Sequence, residues 1–338
     1  MAGNVLVTGG SGYIAGFLIR QLAAAGWTIN TTIRSLAKEA AVVQRLGVPA
    51  EQVRFFAADL ENDAGWAEAV AGCTHVAHLA SPFPVDVPKN EDELIVPARE
   101  GALRALRFAR DAGVKRFVMT SSAAAIAYGH DRSRTSFTEA DWTNVDAAGV
   151  QPYIKSKTIA ERAAREWVAR EGGGIEFCTV NPAAILGPVL GDDYAASVEI
   201  VKRLMDGSIP ACPDIGFGIV DVRDVADLHV RALTAEGMAG ERFIASGPFM
   251  KMIDVARVVK AGMGPAARKV PTRRLPDFAV RIFAIFDPAV RQLTGEIGKT
   301  RGMDASHAKA VLGWEARPVE GTILETARSL VEHGVVRG

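Results

Sequence analysis

"VLVTGGSGYIAG", residues 5–16, sets four glycines between a short apolar run and the start of a helical pattern. Glycine weakens the interior of a strand or a helix, so this concentration marks a turn with a special task. Gly9, Gly10, Gly12 and Gly16 come after "NVLVT" and lead into "YIAGFLIRQLAAAG", which carries apolar residues at helical spacing. A dinucleotide-binding turn needs that context: one glycine for the tight bend, a second where backbone approaches a pyrophosphate, and a small residue where helix packs on strand. Gly9, Gly12 and Ala15 fill these roles, and Tyr13 and Ile14 open the helix whose N-terminus faces the phosphates. No Lys-Ser/Thr pair closes the motif, which excludes a P-loop here. "TGEIGKT" at 294–300 has Leu293 where a P-loop glycine belongs and no strand before it, and reads as an ordinary loop.

Working outward, the runs "WTINTTI", "VRFFAAD", "HVAHLA", "RFVMTSS" and "IEFCTV" read as further strands, several apolar on both faces as in a covered parallel sheet. Helical patterns such as "EGALRALRFARDAG" and "YIKSKTIAERAAREWVAR" fall between them. The alternation predicts an α/β fold, a Rossmann-type doubly wound parallel sheet. After Asn181 the rhythm breaks into Pro- and Gly-rich loops, "NPAAILGPVLGDD" and "GSIPACPDIGFG", before "IVDVRDVADLHVRALT" returns to strand and helix. The expected division is a nucleotide-binding domain over 1–181, with 217–236 returning to it. Residues 182–216 and 237–338 then form a smaller, mixed C-terminal substrate-binding part.

The 338 residues are 49% hydrophobic with 39 basic and 39 acidic side chains, a balance that argues against a nucleic-acid partner. Cys73, Cys178 and Cys212 are far apart without CxxC spacing, as expected of reduced thiols in a cytoplasmic protein. The first strand begins by about Asn4, leaving no room for a targeting peptide, and no apolar run approaches the ~20 residues of a membrane span. "FAVRIFAIF", interrupted by Arg281, reads as an amphipathic helix at a lid or subunit contact.

An acidic residue about 20 positions beyond the glycines would hold a ribose 2′-hydroxyl, whereas an arginine suits the 2′-phosphate of NADP. The second strand ends in "TTIRS", so Arg34 points to NADP(H). Asp59, followed by Leu60, is placed to meet the adenine or to cap the next helix. "PYIKSKTIAER" places Tyr153 and Lys157 at i and i+4 on one helical face, with Lys155 turned elsewhere. An ammonium, aided by an oxidised nicotinamide, is expected to lower the phenol's pKa so that it exchanges a proton. Ser121 and Ser122 end the fifth strand, where the ligand crevice of such a sheet lies.

Taken in order, the glycine turn, "TSSAAAI", "YIKSK" and "NPAAILGP" resemble the extended short-chain dehydrogenase/reductase superfamily over nearly the whole chain. "YIKSKTIAERAARE" and "VDVRDVADLHVRAL" are most similar to its dihydroflavonol 4-reductase-like group of NADPH-dependent aldehyde and ketone reductases. The resemblance implies a catalytic set of Ser122, Tyr153 and Lys157, with Ser122 preferred because Ala123 follows it. It also implies that Pro182 lies against the nicotinamide, that Ala80 and Ser81 line the cofactor cleft, and that Tyr153 and Lys157 contact cofactor as well. In two places the chain departs from the pattern. Glu100 stands before Gly101 where many relatives have Asn, and the "NWYCYGK" type of signature is absent, which argues against a CoA thioester substrate.

The reading is NADPH-dependent reduction of an aldehyde or ketone, and the reverse oxidation, by a monomer or homodimer. The alternatives are an NAD-dependent sugar-nucleotide epimerase or dehydratase, against which Arg34 speaks, and a noncatalytic NADP(H)-binding regulator, which has no need of the Tyr-Lys pair. Cys73, His75 and His78 crowd together, yet His75 and His78 face opposite ways along a strand, so no metal is expected. Asp192, Asp193, Asp221 and Asp224 read as loop and helix-capping acids, and His130 and His229 as satisfied histidines. The substrate pocket is expected from the segment after Asn181, the loop around Pro84 and Val85, and the helix near Phe278 to Phe286.

Overall fold

The computed structural model describes residues 3–82, 90–191, 194–286 and 294–336, so Pro84, Val85, Asp192, Asp193 and Leu293 lie outside the described residues. Its first part alternates β1 (Asn4–Thr8), α1 (Tyr13–Ala24), β2 (Thr28–Ile33), α2 (Glu39–Leu46), β3 (Val53–Ala57), α3 (Trp66–Val70), β4 (His75–His78), α4 (Asp92–Asp111) and β5 (Arg116–Thr120). Then come β6 (Ser136–Phe137), α5 (Pro152–Glu171), β7 (Glu176–Pro182), β8 (Ala184–Leu186), α6 (Ala196–Asp206), β9 (Gly216–Asp221), α7 (Val222–Thr234), β10 (Arg242–Ala245) and β11 (Phe249–Lys251). The chain closes with α8 (Met252–Gly262), α9 (Asp277–Phe286), β12 (Gly302–Met303), α10 (Ser306–Leu312) and α11 (Val319–Glu332).

Seven strands form a parallel sheet in the order β10-β7-β5-β4-β1-β2-β3. Successive strand residues face opposite sides. Val5 and Val7 therefore join Ile29, Val118, Val180 and Phe243 in the core beneath α1 and α7. Leu6 joins Val76, Phe117 and Phe177 beneath α4 and α5 on the other face. Helices cover both faces, which explains strands apolar throughout. The strand order reverses between β1 and β4, so the crevice for a ligand opens at their C-terminal ends.

Two features differ from the expectation. The seventh strand is β10, which pairs Arg242 with Thr179 and Ala245 with Pro182, so the sheet extends past residue 237. The expected return at 217–236 is carried by α7, which packs on α1, while β9 belongs to a small sheet of order β11-β9-β8. A four-residue strand, "RFIA", lies below the length at which an alternating pattern is readable. Second, α4 begins eight residues before Glu100 and runs through Pro97. Proline there removes only the bond to the carbonyl of Glu93, one turn inside the helix start.

The small sheet, α6, α8 and α11 stack over the cleft-bearing edge. Asp221 caps α7 by accepting from the Arg223 N–H at 2.9 Å and also receives the Thr322 hydroxyl at 2.9 Å, tying α11 to the sheet. Asp224 takes three bonds from Arg317, its backbone N–H included. Both acids are structural, as the sequence reading had them. "TGEIGKT" holds a short 3-10 turn at Thr294–Glu296 followed by loop. Helix α9 exposes Phe278 and Ile285, and no described residue of it reaches the central cleft. Among the described residues no helix is long and apolar enough to cross a membrane.

Gly10 shows how tightly the nucleotide end is built. A Cβ there would stand 2.1 Å from Oγ1 of Thr31, whose hydroxyl is committed to the Val7 carbonyl at 2.8 Å. Gly10→Ala must displace the Thr31 side chain and break its bond to Val7. We expect it to destabilise the fold by about 1–3 kcal/mol, read as a lower midpoint in urea.

Candidate active site

The turn after β1 takes the form that its glycines predict. Gly9 has φ +72°, a left-handed conformation that favours glycine, and a Cβ on it would meet Ala80 at 3.2 Å. Gly12 caps α1 and its added Cβ would touch only the Gly9 carbonyl, so its outer side is open. The first-turn N–H groups of α1, from Tyr13 to Ala15, have no carbonyl one turn earlier in the helix and point out of its N-terminus. This open backbone cradle fits a pyrophosphate. Ala15 is buried at the helix–strand contact, as expected.

Tyr13 contributes only backbone here. Its ring packs edge-on to Phe17 at 5.8 Å and its hydroxyl is buried beside Asp221, away from the turn. Ile14, by contrast, lines the cleft. Arg45, not singled out in the sequence, donates to the Ser11 carbonyl and holds the turn from α2.

Thr8, at the end of β1, joins the two strands of the crevice. Its hydroxyl accepts from the backbone N–H groups of Leu79 at 3.0 Å and Ala80 at 2.9 Å, and lies 3.0 Å from Nδ1 of His78. Burial, with the Lys157 charge nearby, brings His78 down to about 3, so the imidazole is neutral and Nδ1 accepts the Thr8 proton. His75 lies on the other side of β4, edge-on to Trp27 at 5.0 Å. The two histidines do not converge.

At the far end of the turn, Gly9 donates to Oγ1 of Thr32 at 3.0 Å, and Arg34 follows two residues later. Its guanidinium is exposed and makes no ion pair among the described residues. The neighbouring loop is anchored by Ala58 donating to the Ile33 carbonyl at 3.2 Å, which brings Asp59 beside the end of β2. The Asp59 carboxylate accepts from the Glu61 N–H at 2.9 Å, closing a local turn instead of capping α3. Leu60 packs where a Cβ on Gly101 would come within 2.9 Å of it, which is why α4 carries glycine there. Glu100 is exposed and pairs with Arg99 at 2.7 Å, so the departure at this position falls on the solvent face.

Tyr153 and Lys157 lie in the first turns of α5, after Pro152, which is well suited to a helix start. The lysine Nζ sits 5.7 Å from the centre of the tyrosine ring and donates to Oγ of Ser81 at 2.7 Å. Ser122, the residue before a 3-10 turn, accepts from the Ala124 N–H at 3.1 Å and hydrogen-bonds the Tyr153 phenol. Ser121 is committed elsewhere, donating to the buried Glu161 carboxylate at 2.5 Å. Geometry therefore separates the two serines: Ser122 faces the phenol and Ser121 the interior.

Ser81, Ser122, Tyr153, Lys157 and Pro182 converge on one cleft of about 790 Å³. Ile185, Ile200, Ile209, Ile215 and Met252 form an apolar arm of it, with Glu199 and Arg203 at its rim. Residues of α6 and α8 in that arm were not singled out in the sequence, because nothing in a helical pattern says which neighbour it covers.

In the chain alone, burial pushes the Tyr153 phenol up to about 12, only partly opposed by the Ser122 bond. The same burial brings Lys157 down to about 8.

Residues 5–245 match the model of the NAD dependent epimerase/dehydratase family, and the chain belongs to that family, the extended short-chain dehydrogenases/reductases. Cinnamoyl-CoA reductase CAD2 of Medicago truncatula is 34% identical over 98% of this chain and 96% of its own. Vestitone reductase of Medicago sativa is 34% identical over 75% of this chain and 78% of its own. The crystal structure of that alfalfa protein superposes with a TM-score of 0.78 at 26% identity, covering 99% of this chain and 100% of its own. Yeast methylglyoxal/isovaleraldehyde reductase Gre2, solved with NADPH, shares the fold at a TM-score of 0.80 and 24% identity, covering 98% and 99%.

Lys157 carries its charge below about pH 8 and loses it above. An anionic dinucleotide beside it should bind more weakly as the pH rises through that value. We expect the dissociation constant of NADPH to climb between pH 7 and 9.5, and the climb to vanish in Lys157→Met; fluorescence titration reads both.

Proposed function

We propose that the protein is an NADPH-dependent reductase of aldehydes or ketones, running the reverse alcohol oxidation with the same groups. The observation that carries this reading is the convergence of Ser122, Tyr153 and Lys157 on one apolar cleft at the sheet's switch point, with Arg34 exposed at the end of β2. The reductase relatives support it, and Arg34 supports NADP over NAD.

In this reading Gly9, Gly12 and the N–H groups of Tyr13 and Ile14 hold the pyrophosphate, Arg34 the 2′-phosphate, and Asp59 and Leu60 flank the adenine. Ala80, Ser81, Lys157 and Pro182 border the nicotinamide half. NADPH, when bound, supplies the hydride. Ser122 donates a hydrogen bond to the carbonyl oxygen of the substrate and holds it beside Tyr153. The Tyr153 phenol gives its proton to that oxygen as negative charge develops on it. A phenol with a pKa near 12 is fully protonated at neutral pH, which suits a proton donor in the reducing direction. Lys157 neutralises the phenolate left behind, and its bond to Ser81 keeps the ammonium at the cleft wall.

The aliphatic arm of Ile185, Ile200, Ile209, Ile215 and Met252 favours a substrate whose carbonyl carries an apolar group. The likeness to a cinnamoyl-CoA reductase raises a thioester alternative, but the sequence around the catalytic tyrosine, "QPYIKSK", lacks the "NWYCYGK" type of signature. We read a free aldehyde or ketone.

Tyr153→Phe should lower kcat for carbonyl reduction by about 10²- to 10⁴-fold while the NADPH dissociation constant stays nearly constant. Full activity in that variant would overturn the mechanism. Arg34→Ala should weaken NADPH by about 10- to 100-fold and leave NADH unaffected, the loss of charge-assisted bonds to a phosphate. Parallel titration of the two cofactors reads the difference, and tightly retained NAD released only on denaturation would favour an epimerase-type cycle.

A further inference from the structure

Beneath the cleft lies a polar cluster for which the proposed mechanism has no use. Glu161 follows Lys157 by one helical turn and Tyr153 by two, so all three occupy one face of α5. The Glu161 side chain is fully buried, 0% exposed. Its Oε2 accepts from Ser121 at 2.5 Å and from Nδ2 of Asn181 at 2.8 Å. Its Oε1 accepts from Nε of Arg242 at 2.7 Å and Nε of Arg165 at 3.2 Å. Burial pushes this carboxyl up, but Arg242 and Arg165 with the Ser121 bond hold it below the ordinary carboxylate range. The charge is thus pinned among the ends of β5, β7 and β10.

Asn181 connects that anchor to the chemistry. Its amide has two hydrogens: one reaches Glu161 and the other the backbone carbonyl of Ser122 at 3.2 Å. Its Oδ1 lies 2.9 Å from the Thr179 hydroxyl, so the amide has one orientation. Asn181 is itself fully buried and touches no part of the open cleft. The carbonyl it holds belongs to the residue whose hydroxyl bonds the Tyr153 phenol.

On the reading of Ser122, Tyr153 and Lys157 given above, we infer that Asn181 is a positioning residue: braced by the buried Glu161 carboxylate, it fixes the Ser122 carbonyl and thereby aims the Ser122 hydroxyl at Tyr153. Within its own 3-10 turn the Ser122 carbonyl also accepts from the Ala125 N–H at 2.9 Å, and the Ser121 N–H donates to the Val180 carbonyl at 2.8 Å. Asn181 adds the side-chain tie that braces this carbonyl against β7 and the Glu161 carboxylate.

A double-mutant cycle tests this, with kcat, the NADPH dissociation constant and Tm measured for Asn181→Ala, Ser122→Ala and the pair. Asn181→Asp, which keeps the volume but has no amide donor, takes the place of Asn181→Ala should the latter not fold. Asp224→Asn, which unclips Arg317 from α7, serves as a variant that lowers Tm away from the cleft. If Asn181 acts through Ser122, its loss lowers kcat by about tenfold or more, NADPH affinity stays within about twofold, and adding it to Ser122→Ala costs little further. Asp224→Asn loses Tm with kcat intact. If kcat is unchanged at lower Tm, or the two effects multiply in the pair, the inference fails while the proposed function stands. If the parent protein reduces no carbonyl compound while binding NADPH, the proposed function fails and this inference with it.

Discussion

The Thr8 hydroxyl is the bond on which the crevice depends. In a parallel sheet the two strands on either side of the order reversal diverge above their last ladder bond, and nothing in the ladder fixes the loops that leave them. Thr8 closes that gap with one oxygen, accepting from Leu79 and Ala80 while turning its own proton to His78. The backbone carrying Ala80 and Ser81 is thereby set against Gly9, and Ser81 in turn receives Lys157 from α5. One buried threonine thus links the glycine turn to Lys157 of α5.

Burial then sets the chemistry of that helix. Desolvation disfavours whichever form is charged, so it moves the phenol of Tyr153 and the ammonium of Lys157 in opposite directions, each toward neutrality. In the proposed reaction the pair acts when a charge develops on a substrate oxygen beside it, because in a water-poor cleft an oriented O–H and a nearby ammonium act with little screening. Ser122 adds the third contact from β5. The strand, the helix and the loop after β4 each supply one group, and their separations are set by sheet register and by the packing of α5 on α4, not by the flexible surface.

What the sequence made legible was what is local. Gly9 and Gly12 show in a turn, Tyr153 and Lys157 in an i, i+4 spacing, and Arg34 at the end of a strand whose length can be counted. The alternation of β1 through β7 with helices identified the sheet. Hidden were features made by distant partners. β10 is four residues long and earns its place only by pairing with β7. The position of Tyr13 puts its N–H at the glycine turn, but its side chain follows the helix face into the core, which position alone does not show. The upward shift of Tyr153 comes from its burial, and the Lys157 ammonium is held by Ser81, 76 positions away; neither is visible in the i, i+4 spacing. The aliphatic arm of the cleft mixes residues from β8, α6, the loop before β9 and α8, a set no periodicity groups together.

The Glu161 cluster follows the same logic at greater cost. A buried carboxylate with two guanidinium partners is weak as a source of stability, since well-packed apolar side chains of similar volume often do as well or better. Here two more features go with it: the Arg242 guanidinium stacks on Trp142 at 3.8 Å and its Nη1 donates to the carbonyls of Glu139 and Asp141. These bonds tie the segment between β6 and α5 to the same node. An apolar core would bury as much surface but would give the Ser122 carbonyl no side-chain partner from β7 beyond its own turn, because apolar contacts carry no direction. Directional partners restrict the Ser122 peptide to one orientation. The charge is therefore better explained by the geometry it imposes on the cleft than by the stability it contributes to the fold.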